Sequence, residues 1–345
     1  MIFVVSLALS VGFTLLARRI APALGLMDKP GGRRIHPGPI ARLGALPLWA
    51  AFTITAVFAQ SLPVERTDGN ELIRLSGLLL GGTFLFFFGL ADDKFELSSF
   101  TQYIGQLIAA SIGVIFLIFI QHIHNPFNQL TTEDFPYIVT ITVSLFWLGL
   151  MMNTLNFLDG VDGLAGGVTL IAAILLFYHT FSQGQLSVSL LPMALIGTTL
   201  GFLIFNWYPA KIFMGSGAVY LGYIVGALSI IGGAKLATIL LVMGLPLLDV
   251  AWQVVRRIRE GKNPMTGDRG HLHFRLIDAG ISPRLICLGY YLFCGAFGLL
   301  AVQDIRFISG PVKVVAVIIM VILALIGFTL AGRLPNRNGD NQNGT

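Results

Sequence analysis

The sequence predicts an all-α polytopic membrane protein, on three observations. Hydrophobic residues make up 55% of the 345-residue chain and charged residues only 11%, against about 25% charged in soluble domains. The mean hydropathy is +0.81. Apolar runs recur along the whole length, each close to the roughly 20 residues that a helix needs to cross a bilayer. A large soluble core is excluded.

Eleven runs qualify, so about 10–11 transmembrane helices are expected. The first, 2–17, has no basic residue before it and Arg18-Arg19 after it. That order is the reverse of a signal peptide and reads as a helix with its N-terminus outside. The runs 45–61, 73–91, 103–120 and 137–153 follow, then 163–182 and 188–206. Only Gly232-Gly233-Ala234-Lys235 separates 217–233 from 235–251, and 285–303 and 311–331 complete the set. With the N-terminus outside, the inner loops are 18–44, 92–102, 154–162, 207–216, 252–284 and the tail. They hold 17 of the 22 Lys and Arg residues, a bias that assigns them to the cytoplasm. The net charge of +5 then reflects topology and anionic lipid or nucleotide rather than nucleic acid. No internal repeat is visible. Residues 1–334 read as one integral-membrane domain and 335–345 as a polar, disordered tail. Cys287 and Cys294 fall seven residues apart on one expected helix, about 10.5 Å along its axis and too far for a disulfide. They read as packing residues.

The chemistry lies in the inner loops. Asn153-Thr-Leu-Asn156-Phe-Leu-Asp159-Gly-Val-Asp162-Gly places two amides and two carboxylates beside apolar runs, where ionisable side chains are functional candidates by default. Asp159 and Asp162 are spaced i, i+3, and Gly160 and Gly163 permit turns. Asp92-Asp93 ends another apolar run; adjacent carboxylates there repel unless a cation sits between them, and one or two carboxylates with substrate phosphates suit Mg²⁺. The first inner loop offers Arg33, Arg34, His36 and Arg42, bidentate phosphate donors or simply positive-inside anchors. The fifth carries Asp268-Arg269-Gly-His271-Leu-His273-Phe274. On an extended segment its two histidines would point the same way. Without a Cys or a third spaced His they suit a nucleotide clamp better than zinc. Asp249, inside the run 235–251, is expected to pair with an inner-loop Arg.

Taken in order, these motifs resemble the polyprenyl-phosphate N-acetylhexosamine-1-phosphate transferases. The resemblance spans Asp28 to Gly280: Lys-Pro-Gly-x-Arg-Arg-x-His, Gly89-x-x-Asp92-Asp93, the Asn153 to Ala165 motif, Asn206-x-x-Pro-Ala-Lys-Ile-Phe213-Met-Gly215, Pro246-Leu-Leu-Asp249, and Asp268-Arg-x-His-Leu-His273. The His-Leu-His form is similar to the branch that uses UDP-N-acetylglucosamine. The resemblance implies transfer of a sugar phosphate from a UDP-N-acetylhexosamine to undecaprenyl phosphate at the bacterial cytoplasmic (inner) membrane, releasing UMP, with Mg²⁺ (or Mn²⁺) as cofactor. It implies Asp92 and Asp93 as the metal and lipid-phosphate pair, and Asp159, Asp162 and His271 as further catalytic residues. Asn156, Asn206, Phe213, His273, Arg269, Arg34 and His36 would bind substrate, with Phe213 against uracil. Three departures are visible. Ser216 follows Gly215 where the family has a metal-ligating Asp, Phe274 replaces a third His, and Gln102 and Tyr103 occupy the region where a basic residue is usual.

Other readings compete. A relative that binds without turnover would fit the missing Asp. A transporter would place its charges near the midplane in repeated, broken helices, whereas these cluster at one face. An alcohol phosphatidyltransferase would need an Arg after Asp162-Gly-Leu-Ala, and none is there. Periodicity does not say whether two copies pair as a homodimer.

Overall fold

The computed structural model describes residues 1–28, 38–66, 68–122, 132–233, 236–261, 270–302 and 310–333. It is an all-α membrane protein. The helices are α1 (Ile2–Leu24), α2 (Ala45–Ala59), α3 (Glu71–Phe95), α4 (Ser99–Ile115), α5 (Tyr137–Leu158), α6 (Leu164–Ser182), α7 (Leu186–Asn206), α8 (Gly217–Ile231), α9 (Leu236–Val242), α10 (Gly244–Arg259), α11 (Leu272–Asp278), α12 (Pro283–Val302) and α13 (Gly310–Arg333). Six of them, α1, α3, α5, α6, α7 and α12, are long and apolar enough to cross a membrane, and α2, α4, α8 and most of α13 are shorter apolar helices. Leu, Ile, Val and Phe residues such as Leu15, Phe87, Phe146 and Leu292 face outward, as a lipid-solvated surface requires.

The centre of the bundle is α8, with Tyr220, Leu221, Tyr223 and Ile224 all buried. It packs against α5 and α3, while α7 packs between α1 and α6 and α12 closes over α6. At Gly222 the α5 backbone comes so near that a Cβ would lie 2.5 Å from Met152 Cα and 2.6 Å from the Met151 carbonyl oxygen. Helix association in lipid depends on such small-residue contacts, since no hydrophobic force separates helix from tail. At the end of α3 remote from Asp92, buried Glu71 accepts a 2.7 Å hydrogen bond from Ser187.

Three expectations change. First, the helices overrun the apolar runs: α3 continues through Asp92 and Asp93, and α5 through Asn156, so these residues sit on final helical turns rather than in loops. Second, the run 235–251 is not one helix. It breaks at Met243, and Pro246 falls in the first turn of α10, where its missing N–H leaves no hydrogen bond unmade; inside a continuous helix it would remove one and clash with the preceding turn. Third, the histidines lie on a helix start and not on an extended segment: His271 caps α11 and His273 is in its first turn. Beyond the break, α10 is amphipathic in an inverted sense. Asp249, Gln253 and Arg257, spaced i, i+4, i+8, are buried while Val255 and Ile258 are exposed. Cys287 and Cys294 are buried free thiols, as the spacing implied.

Replacing Gly222 with Val is expected to force α8 off α5 and lower stability by about 1–3 kcal/mol. Thermal unfolding in detergent checks it. Gly149→Ala, on α5 with open space around its Cβ, should leave the midpoint within error of the parent.

Candidate active site

The ends of α3, α5 and α7 and the starts of α4, α8 and α11 converge on one cavity of about 730 Å³. Its wall includes Asp28, Arg42, Asp92, Asp93, Gln102, Gln106, Asn156, Asp159, Asp162, Asn206, Phe213, Ser216 and His271. Of the residues singled out in the sequence, Asp92, Asp93, Asn156, Asp159, Asp162, Asn206, Phe213 and His271 therefore meet at one place. His273 is buried behind the wall, its ring stacked on His271 at 5.6 Å and tilted against Phe274 at 4.4 Å. Arg33, Arg34, His36 and Arg269 lie outside the described residues.

A small backbone frame sets the near side. Met27–Asp28 pairs antiparallel with Ile40–Ala41, and Ala41 bridges in parallel to Ile212. The Phe213 N–H donates to the Ala41 carbonyl at 2.8 Å, and the Gly44 N–H to the Phe213 carbonyl at 3.1 Å. This frame fixes Arg42 and Phe213 on the cavity wall. Asn206 is part of the same scaffold: its Oδ1 accepts from Gly163 N–H at 3.1 Å and its amide donates to the Ile212 carbonyl at 3.0 Å.

Four of the five wall carboxylates, those of Asp92, Asp93, Asp159 and Asp162, have different surroundings. Asp93 is buried and fully engaged. Arg42 Nε lies 3.1 Å from Oδ1, while the Ser216 hydroxyl donates to Oδ2 at 2.7 Å and the Ser216 N–H at 3.0 Å. Ser216 thus spends its hydroxyl holding Asp93. Asp92 Oδ1 accepts from Leu97 N–H and from the Gln102 amide, both at 3.0 Å, and Oδ2 has no donor among the described residues. Asp162 Oδ2 accepts from Ala210 N–H at 2.9 Å. The Asp159 carboxylate has no hydrogen-bonding partner among the described residues, although its N–H donates to the Leu155 carbonyl at 3.2 Å. Burial, then the charges of Asp162 and Asp93, push its carboxyl well above the usual range against the opposing pull of Arg42.

The turn that presents Asp159 and Asp162 is held from α12, where the Tyr291 hydroxyl donates to the Gly163 carbonyl at 2.6 Å. Gly163 has a left-handed φ of 84°, as a turn there needs; Gly160 does not. Gly160 is small for another reason: a Cβ would lie 2.4 Å from the Phe274 ring, so the α11 loop closes directly over it.

Asp249 pairs with a histidine rather than with the expected arginine. His271 Nδ1 lies 2.9 Å from Asp249 Oδ2, and Leu272 N–H donates to Oδ1 at 3.0 Å. The reason is register: α11 brings its N-terminal turn, not a cation, onto the buried face of α10. Sequence reasoning also missed Gln102, Gln106 and Asp28 as wall residues. The signal was present for the glutamines, which are polar side chains on the otherwise apolar α4.

No three acidic, histidine or cysteine side chains form a ready-made metal centre among the described residues. Besides the engaged Asp93, the wall offers the carboxylate oxygens of Asp92 and Asp159, with Asp28, Asp162 and the Asn156 amide on the same wall. An incomplete, all-oxygen set fits Mg²⁺ with substrate phosphates and does not fit a structural zinc.

The raised Asp159 carboxyl makes a signed prediction. The folded chain holds this proton more tightly than the unfolded chain, so the contribution is fully present below the unfolded value near 3.8 and is lost as pH rises through the raised titration. In metal-free buffer Asp159→Asn should therefore unfold later than the parent near neutral pH, and the gap should close on acidification. A gap independent of pH would rule this out.

The chain matches the model of Glycosyl transferase family 4 over residues 75–233. It is 30% identical over 308 residues to a probable undecaprenyl-phosphate N-acetylglucosaminyl 1-phosphate transferase of Bacillus subtilis, covering 87% of this chain and 83% of that one. It is also 30% identical over 340 residues to a decaprenyl-phosphate N-acetylglucosaminephosphotransferase of Mycolicibacterium smegmatis, covering 90% and 83%. With an undecaprenyl-phosphate alpha-N-acetylglucosaminyl 1-phosphate transferase of Yersinia pestis the identity is 29% over 344 residues, covering 94% and 87%. Similarity that extends over nearly the whole chain, with the motifs gathered around one cavity, has a plain consequence: this protein belongs to glycosyl transferase family 4, the polyprenyl-phosphate N-acetylhexosamine-1-phosphate transferases.

Proposed function

We propose that this protein transfers an N-acetylhexosamine 1-phosphate, GlcNAc-1-phosphate in the first instance, from its UDP-sugar to a polyprenyl phosphate and releases UMP. The bacterial relatives with undecaprenyl- or decaprenyl-phosphate in their names support the substrate class. The observation that carries the reading is the convergence of Asp92, Asp93, Asn156, Asp159 and Asp162 on one cavity. One flank of that cavity is apolar, formed by Leu85 and Phe88 of α3 and Val219 of α8. A ligand with a charged head and a hydrocarbon body has the matching polarity.

Phosphoryl transfer asks for positioning and charge neutralisation more than covalent chemistry. Asp92 and Asp159, with Asn156, are the residues suited to hold Mg²⁺; Asp93 was the expected partner of Asp92, but its oxygens are taken by Arg42 and Ser216. When bound, Mg²⁺ would neutralise diphosphate charge. Arg42 is placed to favour phosphate at the same wall while it anchors Asp93. Phe213 offers a ring for a nucleobase, and the α11 loop covers the cavity over Gly160. The excess of Arg and Lys in the loops on this side supports a cytoplasmic active face, with the N-terminus outside and the chain in the bacterial cytoplasmic membrane. Such a lipid-linked sugar would start a cell-envelope glycan.

Purified protein with UDP-N-acetylglucosamine and undecaprenyl phosphate is expected to form the lipid-linked product with Mg²⁺ and to lose that activity with chelator. Asp92→Asn and Asp159→Asn should each lower turnover at least about 100-fold. UDP-sugar binding with no turnover by the parent protein would instead favour the binding-only relative.

A further inference from the structure

We propose that Asp249 is a positioning residue, which holds His271 with Nδ1 protonated and Nε2 presented to the cavity as the atom that meets the substrate diphosphate. The identity of that ligand rests on the transferase reading.

Asp249 is absent from the cavity wall, so it acts through another residue. It is 4% exposed, its Oδ1 accepts from Leu272 N–H at 3.0 Å, and its Oδ2 lies 2.9 Å from His271 Nδ1. An ionised carboxylate can only accept, so this contact calls for the proton on Nδ1. The ring has little freedom to turn, for it is 3% exposed and stacks on Phe157 at 5.0 Å and on His273 at 5.6 Å. Nε2 is buried and has no hydrogen-bond partner among the described residues, yet His271 lines the cavity. A buried polar atom left open at a cavity wall is completed by a ligand, since otherwise its desolvation is uncompensated.

The partner chemistry follows from the same geometry. Diphosphate oxygens are acceptors, so the useful form of Nε2 is N–H, with the imidazole carrying both protons. The Asp249 carboxylate balances that charge inside the protein. One turn along the same face of α10, the Gln253 amide donates to the Gly270 carbonyl. The residue before His271 is therefore also held, and α10 seats the histidine loop at two successive points. This arrangement is a carboxylate orienting a histidine through its far nitrogen, the logic by which outer residues tune the histidines that touch substrate or metal.

The test uses the whole chain in nanodiscs. Nitrogen-15 NMR of histidine-labelled protein, with the His271 signal assigned by its loss in His271→Ala, reads the ring directly. Nδ1 should be protonated in the parent and should lose that state, wholly or in part, in Asp249→Asn. A parent His271 protonated at Nε2 alone overturns the proposal. A second arm measures sugar-phosphate transfer. Asp249→Asn is expected to lower kcat by about 10–100-fold with KM for the UDP-sugar little changed, and Asp249→Glu to recover part of the loss. Added to His271→Ala, Asp249→Asn should have no further effect. An equal loss in both backgrounds would mean that Asp249 only caps α11, and the proposal would fall. If the parent transfers no sugar phosphate, the transferase reading fails while the ring measurement still decides the orientation of His271.

Discussion

A carboxylate buried where a membrane helix ends has to be compensated, and the site is arranged around the one at Asp93. An unpaired charge in such a place costs several kcal/mol. The three donors that meet it come from two separate parts of the chain: Arg42 beside the short β pair, and the hydroxyl and N–H of Ser216 at the start of α8. Satisfying Asp93 therefore ties the end of α3 to the loop after α1 and to the central helix. The cavity is what remains between these tied ends, and the less compensated acids, Asp92 and Asp159, face it.

This arrangement gives a physical account of two departures from the family pattern. Ser216 occupies the place of an acid and Gln102 the region of a base, and both turn out to contact the Asp92-Asp93 pair, one on each carboxylate. Each supplies a neutral hydrogen bond. Under the proposed Mg²⁺ site, neither of these contacts offers the ion a charged ligand.

Much of this was legible in the sequence, because the bilayer makes polarity informative. Composition alone fixed the all-α membrane class, and the expense of acids beside apolar runs singled out Asp92, Asp93, Asp159 and Asp162 before any helix was placed. What was not legible was pairing. Asp249 was expected to meet an arginine, and only the packing of α11 on α10 shows that it meets His271. Asn206 does line the cavity, but the backbone bonds at both ends of its amide could not be read from the sequence. The break at Met243 was written in Pro246, but hydropathy averaged over the run conceals a proline's missing hydrogen bond. Span ends failed in the same way: a helix can continue past its apolar residues when its polar last turn has partners in a cavity, as Asp93 does.

The central claim is that this cavity is a cation site held by Asp92 and Asp159, with Asp93 reserved for the scaffold. Electron paramagnetic resonance of Mn²⁺ bound to the purified chain in the presence of UDP-N-acetylglucosamine tests it most directly. The account predicts one bound Mn²⁺ per chain, displaced by Mg²⁺ and lost in Asp159→Asn and in Asp92→Asn. A bound-ion signal in Asp159→Asn equal to that of the parent would contradict it.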